Sequence, residues 1–165
     1  MSNKKSLFEK LFRDYQAMVR QMCLGFMKGD EDDAQDLAQE VFINTWSALD
    51  SFKNTSSHKT WIYRITVNTC LKYIRDKKAG NQIRIDLMQE QIAEPENQSK
   101  QSEQQHQSLY RAIGQLSEVD RLVIMMVLDE LDYKDIASVI GINEGNLRVK
   151  IHRIKKNLKK ILEND

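Results

Sequence analysis

The sequence predicts an all-α fold of two small helical domains joined by a flexible linker, and three observations lead there. Six glycines and one proline in 165 residues are few for the many turns of an all-β chain. Apolar residues recur at helical spacing, and no stretch of useful length alternates apolar and polar as a half-buried strand would. Between residues 79 and 107 the texture shifts to Gln, Glu, Asn and Ser, and AEPENQSKQSEQQHQ holds the only proline. The chain then divides into a domain at 1–78, a linker at 79–107 and a domain at 108–165.

Residues 6–28 predict a first helix, with Leu7, Leu11, Tyr15, Met18, Met22 and Phe26 near one face and Gly29 as its stop. DEDD opens a second helix, where carboxylates suit the positive end of the helix dipole. It runs to about Leu49. Its buried side is Ala34, Leu37, Ala38, Val41, Thr45, Ala48 and Leu49, and its outer side presents Asp36, Gln39, Glu40 and Ile43, with Phe42 and Trp46 at the margin. Acids beside apolar residues suit a basic, partly apolar protein partner as well as a solvated face. SFKNTSSHK is a polar loop, and a third helix follows to about Lys78. Within the linker, IRIDLMQEQI has the makeup of a short helix or an extended docked segment. Ser117 then caps a helix begun by SEVD, with Asp120 three residues on as in a capping box.

The third helix, TWIYRITVNTCLKYIR, has an unusual girth. At about 100° per residue, Trp61, Arg64, Asn68, Lys72 and Arg75 share one stripe roughly 80° wide, while the rest of the circle is mostly apolar. A mostly buried helix thus shows the outside a Trp, an amide and three cations, with no acid. At the C-terminus, DYKDIASVIGINEGNLRVKIHRI has the layout of a helix-turn-helix. Ala137 is small where two helices approach, Gly141 allows the turn, Ile142 plugs the core and Asn143 caps the second helix. On that helix Leu147, Ile151, Ile154, Leu158, Ile161 and Leu162 line the buried side. Gly145, Val149, His152, Arg153 and Lys156 form the opposite side, flanked by Arg148, Lys150 and Lys155. A small N-terminal end and a basic outer face suit entry into a DNA major groove.

Net charge is +1, but the charges come in blocks. Residues 30–50 hold seven acids and no base, and residues 51–80 hold seven bases against Asp76 alone. Residues 86–135 hold eleven acids against four bases, and 141–162 hold seven bases against Glu144. Two separate basic surfaces suggest two contacts with one polyanion, and the acidic blocks a different, basic partner. No Gly-rich phosphate loop, no Ser/His/Asp frame and no metal spacing among His58, His106 and His152 is present, which argues against an enzyme, a metal site or a cofactor. The longest apolar run, Leu122 to Leu128, is too short to span a bilayer, and no secretory signal opens the chain, so the cytoplasm is the expected compartment without membrane insertion. Cys23 and Cys70 fall at apolar helical positions and predict buried free thiols.

Four segments in this order, FEKLFRDYQ, DAQDLAQEVFINTW, TWIYRITVNTCLKYIR and the terminal helix-turn-helix, carry a resemblance over nearly the whole chain. Together they resemble the extracytoplasmic-function (ECF) class of bacterial RNA polymerase sigma factors, in the sigma-70 family. The resemblance implies a dissociable, non-catalytic subunit that binds core polymerase through its β′ clamp and β subunit and directs initiation at promoters. It implies core-binding roles for Asp36, Gln39, Glu40, Phe42 and Trp46, beside which Ile43 lies. It implies recognition and melting of the −10 element by Trp61, Arg64, Asn68, Lys72 and Arg75 on single-stranded DNA, with SFKNTSSHKT as the loop that captures a flipped base. It implies reading of the −35 element, as duplex, by Arg148, Val149, His152, Arg153 and Lys156. An anti-sigma factor is the further implied partner, one that would hold the chain at the membrane, and the nucleoid is the implied location in holoenzyme. Where many relatives carry an acid, this chain has Lys72. Two other readings stay open on the sequence: a DNA-binding regulator whose first domain dimerises or senses, and a polymerase-binding adaptor that does not initiate.

Overall fold

A computed structural model describes the backbone of residues 2–84 and 101–164, and the side chains of 3–79 and 106–164. The order is α1 (Ser2–Phe26), α2 (Glu31–Ala48), a 3₁₀ turn (Leu49–Ser51), α3 (His58–Arg84), α4 (Gln101–Gly114), α5 (Glu118–Leu128), α6 (Tyr133–Ile140) and α7 (Glu144–Glu163). Among the described residues there is no strand.

The first domain is α1 to α3. Asp30 caps α2 by accepting from the Asp33 N–H, and Glu31, Asp32 and Asp33 fill its first turn, where the helix dipole favours carboxylates. Leu11, Val19 and Met22 of α1 meet Leu37 and Val41 of α2 and Ile62, Tyr63 and Val67 of α3 in one apolar core. Buried Thr45, Thr66 and Thr69 cost little, because each hydroxyl donates to a carbonyl of its own helix: those of Val41, Ile62 and Ile65. Asn44 donates to the Thr69 hydroxyl at 3.0 Å and fixes α2 against α3. The paired thiols of Cys23 and Cys70 are buried and free. A hydrogen bond with Cys23, then burial, holds the Cys70 thiol well above its ordinary value, so it stays protonated.

The second domain is α4 to α7. Helix α5 is buried from Arg121 to Met126, all round its girth, because α1, α4, α6 and α7 enclose it. Ser117 caps it by accepting from the Asp120 N–H. Gly141 ends α6 at φ 84°, a left-handed conformation that a Cβ disfavours, and Asn143 starts α7 by accepting from the Asn146 N–H at 2.7 Å.

Two expectations are adjusted, on the helix limits and on Leu162, and a third is not tested. Helix α3 continues to Arg84 and α4 begins at Gln101, both within the stretch assigned to the linker. Most of IRIDLMQEQI lies outside the described residues. Leu162 is 40% exposed rather than buried, because by the last turn α7 has run past the helices that cover Leu158.

Candidate polymerase and promoter surfaces

The outer face of α2 is built on a groove shared with α1. Phe8, Phe12, Gln16 and Arg20 of α1 face Gln35, Ala38, Gln39, Phe42, Ile43 and Trp46 of α2 across an open cleft of about 680 Å³. Its floor is aromatic: the Phe12 and Phe42 rings meet edge to face at 4.8 Å, and the Phe8 and Trp46 rings at 5.3 Å. Lys4 sits 4.3 Å from the Trp46 ring and pairs with Asp50 at 2.7 Å, which steadies the indole. Ile43, at 58% exposed, and Phe12 and Trp46, at about 40%, leave an apolar patch open to water.

Of the residues assigned to this surface, Asp36, Gln39, Glu40, Ile43 and Trp46 are exposed. Phe42 is not: at 7% exposed its ring is part of the floor, held by Phe8 and Phe12. Ala38, assigned to the core, is only half-buried and lines the groove. Asp36 and Glu40 do not line it. They stand one step around α2, with Ile43 at the seam between acids and groove. The α1 wall was missed in the sequence. Its signal was the pair Phe8 and Phe12, spaced i to i+4 beside the Leu7–Leu11 stripe, which makes the apolar arc wider than one helix contact needs.

The α3 stripe divides in two. Asn68, Lys72 and Arg75 are exposed, whereas Trp61 and Arg64 are half-buried. Trp61 lies against Phe52 at 4.7 Å, and Phe52 against His58 at 5.0 Å, so the 52–57 loop is pinned by aromatic contact at the head of α3. Ser57 accepts from the Thr60 N–H at 3.1 Å and closes that loop onto the helix. Arg64 points away to the second domain, where it donates to the Ser138 hydroxyl at 3.0 Å.

On α7 the division is clean. Leu147, Ile151, Ile154 and Leu158 are buried, while Arg148, Val149, His152, Arg153 and Lys156 are exposed. Val149 stands 54% exposed on a capped helix, an apolar side chain open to water. Arg148 is already engaged: it donates to Glu144 at 3.2 Å and lies over the Tyr133 ring at 5.1 Å. Lys150 is turned inward to Asp120 at 2.8 Å and braces α7 on α5.

Comparison with known proteins decides the family. Residues 11–80 match Sigma-70 region 2 and residues 106–158 match Sigma-70, region 4. The chain is 33% identical over 136 residues to the ECF RNA polymerase sigma-E factor of Escherichia coli, covering 75% of this chain and 71% of that protein. The chain belongs to the ECF sigma factors. It is also 29% identical to the RNA polymerase sigma-H factor of Pseudomonas aeruginosa, over 96% of this chain and 88% of that one. The same fold occurs in the sigma factor RpoE of Bartonella quintana, solved with the anti-sigma factor NepR, at a TM-score of 0.77 and 23% identity, covering 96% of this chain and 98% of that one. It occurs again in CnrH, solved with the cytosolic domain of CnrY, at a TM-score of 0.71 and 20% identity over 98% and 90% of the two chains. As a sigma factor, this protein directs promoter-specific transcription by RNA polymerase, and neither the stand-alone regulator nor the non-initiating adaptor is favoured. No helix of the described residues is long and apolar enough to cross a membrane.

Proposed function

We propose that this sigma factor divides its work among three surfaces. The groove of α1 and α2 takes an apolar, basic element of the β′ clamp, with Ile43 and Trp46 entering it and Asp36, Gln39 and Glu40 on the rim. The α3 stripe follows the displaced promoter strand at the −10 element, Asn68 at an extruded base and Lys72 and Arg75 on phosphates. Helix α7 enters the major groove at the −35 element, with Val149 and His152 toward base edges and Arg153 and Lys156 on phosphate. The domains then fall at 1–78 and 108–165, with the connection between them passing the polymerase cleft. The chain catalyses nothing itself, works in the cytoplasm, and has an anti-sigma partner. The two solved neighbours that carry such a partner support that last reading.

The observation that carries the proposal is the contrast on α2: acids beside exposed Ile43 and Trp46, on a helix whose other side is locked into the core. A solvated face has no need of an exposed aliphatic and an indole over an open groove. Run-off transcription with purified chain and core polymerase on fragmented genomic DNA of the source organism tests it. Discrete starts that need both components, preceded by two shared motifs, are expected. Chain bound to core with no starts would sink the promoter assignments. An anti-sigma partner is checked separately, by the size at which the chain runs in cell extract. A free monomer under inducing and non-inducing conditions alike would refute it.

A further inference from the structure

The outer face of α7 carries one apolar side chain among polar ones. At about 100° per residue, Val149 lies at the centre of that face, within about 60° of Gly145, His152, Arg153 and Lys156. It is 54% exposed, and the other exposed large apolar side chain of α7, Leu162, lies ~20 Å further along the axis. The flanking cations near it are engaged within the fold: Arg148 by Glu144 and the Tyr133 ring, and Lys150 by Asp120.

Gly145 stands one turn before Val149 and has no side chain. Helical side chains lean toward the N-terminus, so Val149 leans over the turn that Gly145 leaves bare. The fold does not ask for that glycine. A Cβ there would meet only Asn143 Oδ1, at 3.5 Å, which is an ordinary contact. Glycine is also a poor helix former. Val149 and Gly145 together make a small apolar spot with free approach in the second turn of α7, flanked by the cations Arg153 and Lys156.

Valine has no donor and no acceptor. Against the major-groove edge of guanine, adenine or cytosine it would take water from a polar edge and return no hydrogen bond. Thymine carries the one apolar group that the four bases show in that groove, its 5-methyl. Burying that methyl against the valine methyls is favourable.

We infer that Val149 is a specificity-determining residue that reads the 5-methyl group of one thymine in the −35 duplex, and that Gly145 is the gap through which the base edge reaches it. The inference rests on the entry of α7 into the major groove at the −35 element, and it names the chemistry read there.

The test uses holoenzyme of the full chain with core polymerase, and a promoter fragment recovered by the run-off experiment. Each thymine of the upstream motif, on either strand, is replaced in turn by deoxyuridine, which lacks only the methyl. At one position wild-type holoenzyme should lose about fourfold in affinity, the worth of one buried methyl. Holoenzyme with Val149→Ala should not distinguish the two duplexes there, and Val149→Ile should keep the difference. Alanine at this exposed helical position keeps the fold, which helical circular dichroism checks. Cytosine at the same position should weaken wild-type binding by about tenfold, and 5-methylcytosine should recover part of that loss. Gly145→Leu should keep its melting temperature, because a side chain has room there, and lose most of its affinity for the upstream motif. If no thymine responds to loss of its methyl, or if Val149→Ala responds as the wild type does, the inference is overturned. Full affinity in Gly145→Leu overturns it too. Discrete starts with no shared upstream motif would strike the −35 assignment of α7 itself, and the inference with it.

Discussion

Ile43→Ala separates folding from partner binding at the α2 groove. Ile43 is 58% exposed and is not in the apolar core, so its truncation leaves no cavity. Alanine is also the better helix former, by a few tenths of a kcal/mol. The free chain should therefore melt at the same temperature or slightly higher. If core polymerase covers the exposed part, binding loses it. Three carbons at about 0.8 kcal/mol each, scaled by the exposed fraction, come to about 1.4 kcal/mol, or a tenfold rise in Kd. Competition of unlabelled variant against labelled wild type for core measures the affinity, and thermal melting by circular dichroism measures the fold. Affinity within twofold of wild type would refute the groove as the docking site. A melting point lower by several degrees would refute the premise that Ile43 has no part in the fold. Trp46→Ala makes the contrast: its ring packs on Phe8 and Lys4, so affinity and stability should fall together.

Asp36→Ala with Glu40→Ala should weaken core binding and reduce its salt dependence with helical content unchanged; unchanged affinity at low salt would contradict an acidic rim. Asn143→Ala removes the cap on α7 and should cost about 1 kcal/mol in a denaturant titration, with weaker −35 duplex binding, and Asn143→Asp should restore both. Lys156→Ala should lower affinity for all duplexes alike and reduce the slope of log K against log salt by about 0.9; a sequence-dependent loss would mean that it reads bases. Glu118 bears on pH. Its carboxyl is held below the ordinary 4.5 by its own backbone N–H in the first turn of α5, and then by Lys78. Such a group stabilises the fold above its ordinary value and loses that contribution as pH falls through the depressed one. The stability gap between wild type and Glu118→Gln should therefore be present at neutral pH and close below pH 4.5, and a gap that widened on acidification would refute the assignment.

What the sequence determined by itself is what local chemistry carries. Asp30, Ser117 and Asn143 cap helices because their side chains reach N–H groups three residues on, and Gly141 turns where a Cβ would strain. The buried face of α7, the exposed acids of α2 and the cation stripe of α3 follow from helical periodicity, since a 3.6-residue repeat fixes which residues share a side. The tertiary structure decided what depends on a second helix. Phe42 lies at the margin of α2 by periodicity, but Phe8 and Phe12 of α1 cover it. Arg64 is one cation among three in the stripe until α6 brings Ser138 to it. Arg121 opens an apolar helix without explanation in the sequence, because the Phe26 carbonyl that it answers lies 95 residues away. Such a contact has no period and no spacing. It exists only where the end of one helix is packed against the side of another.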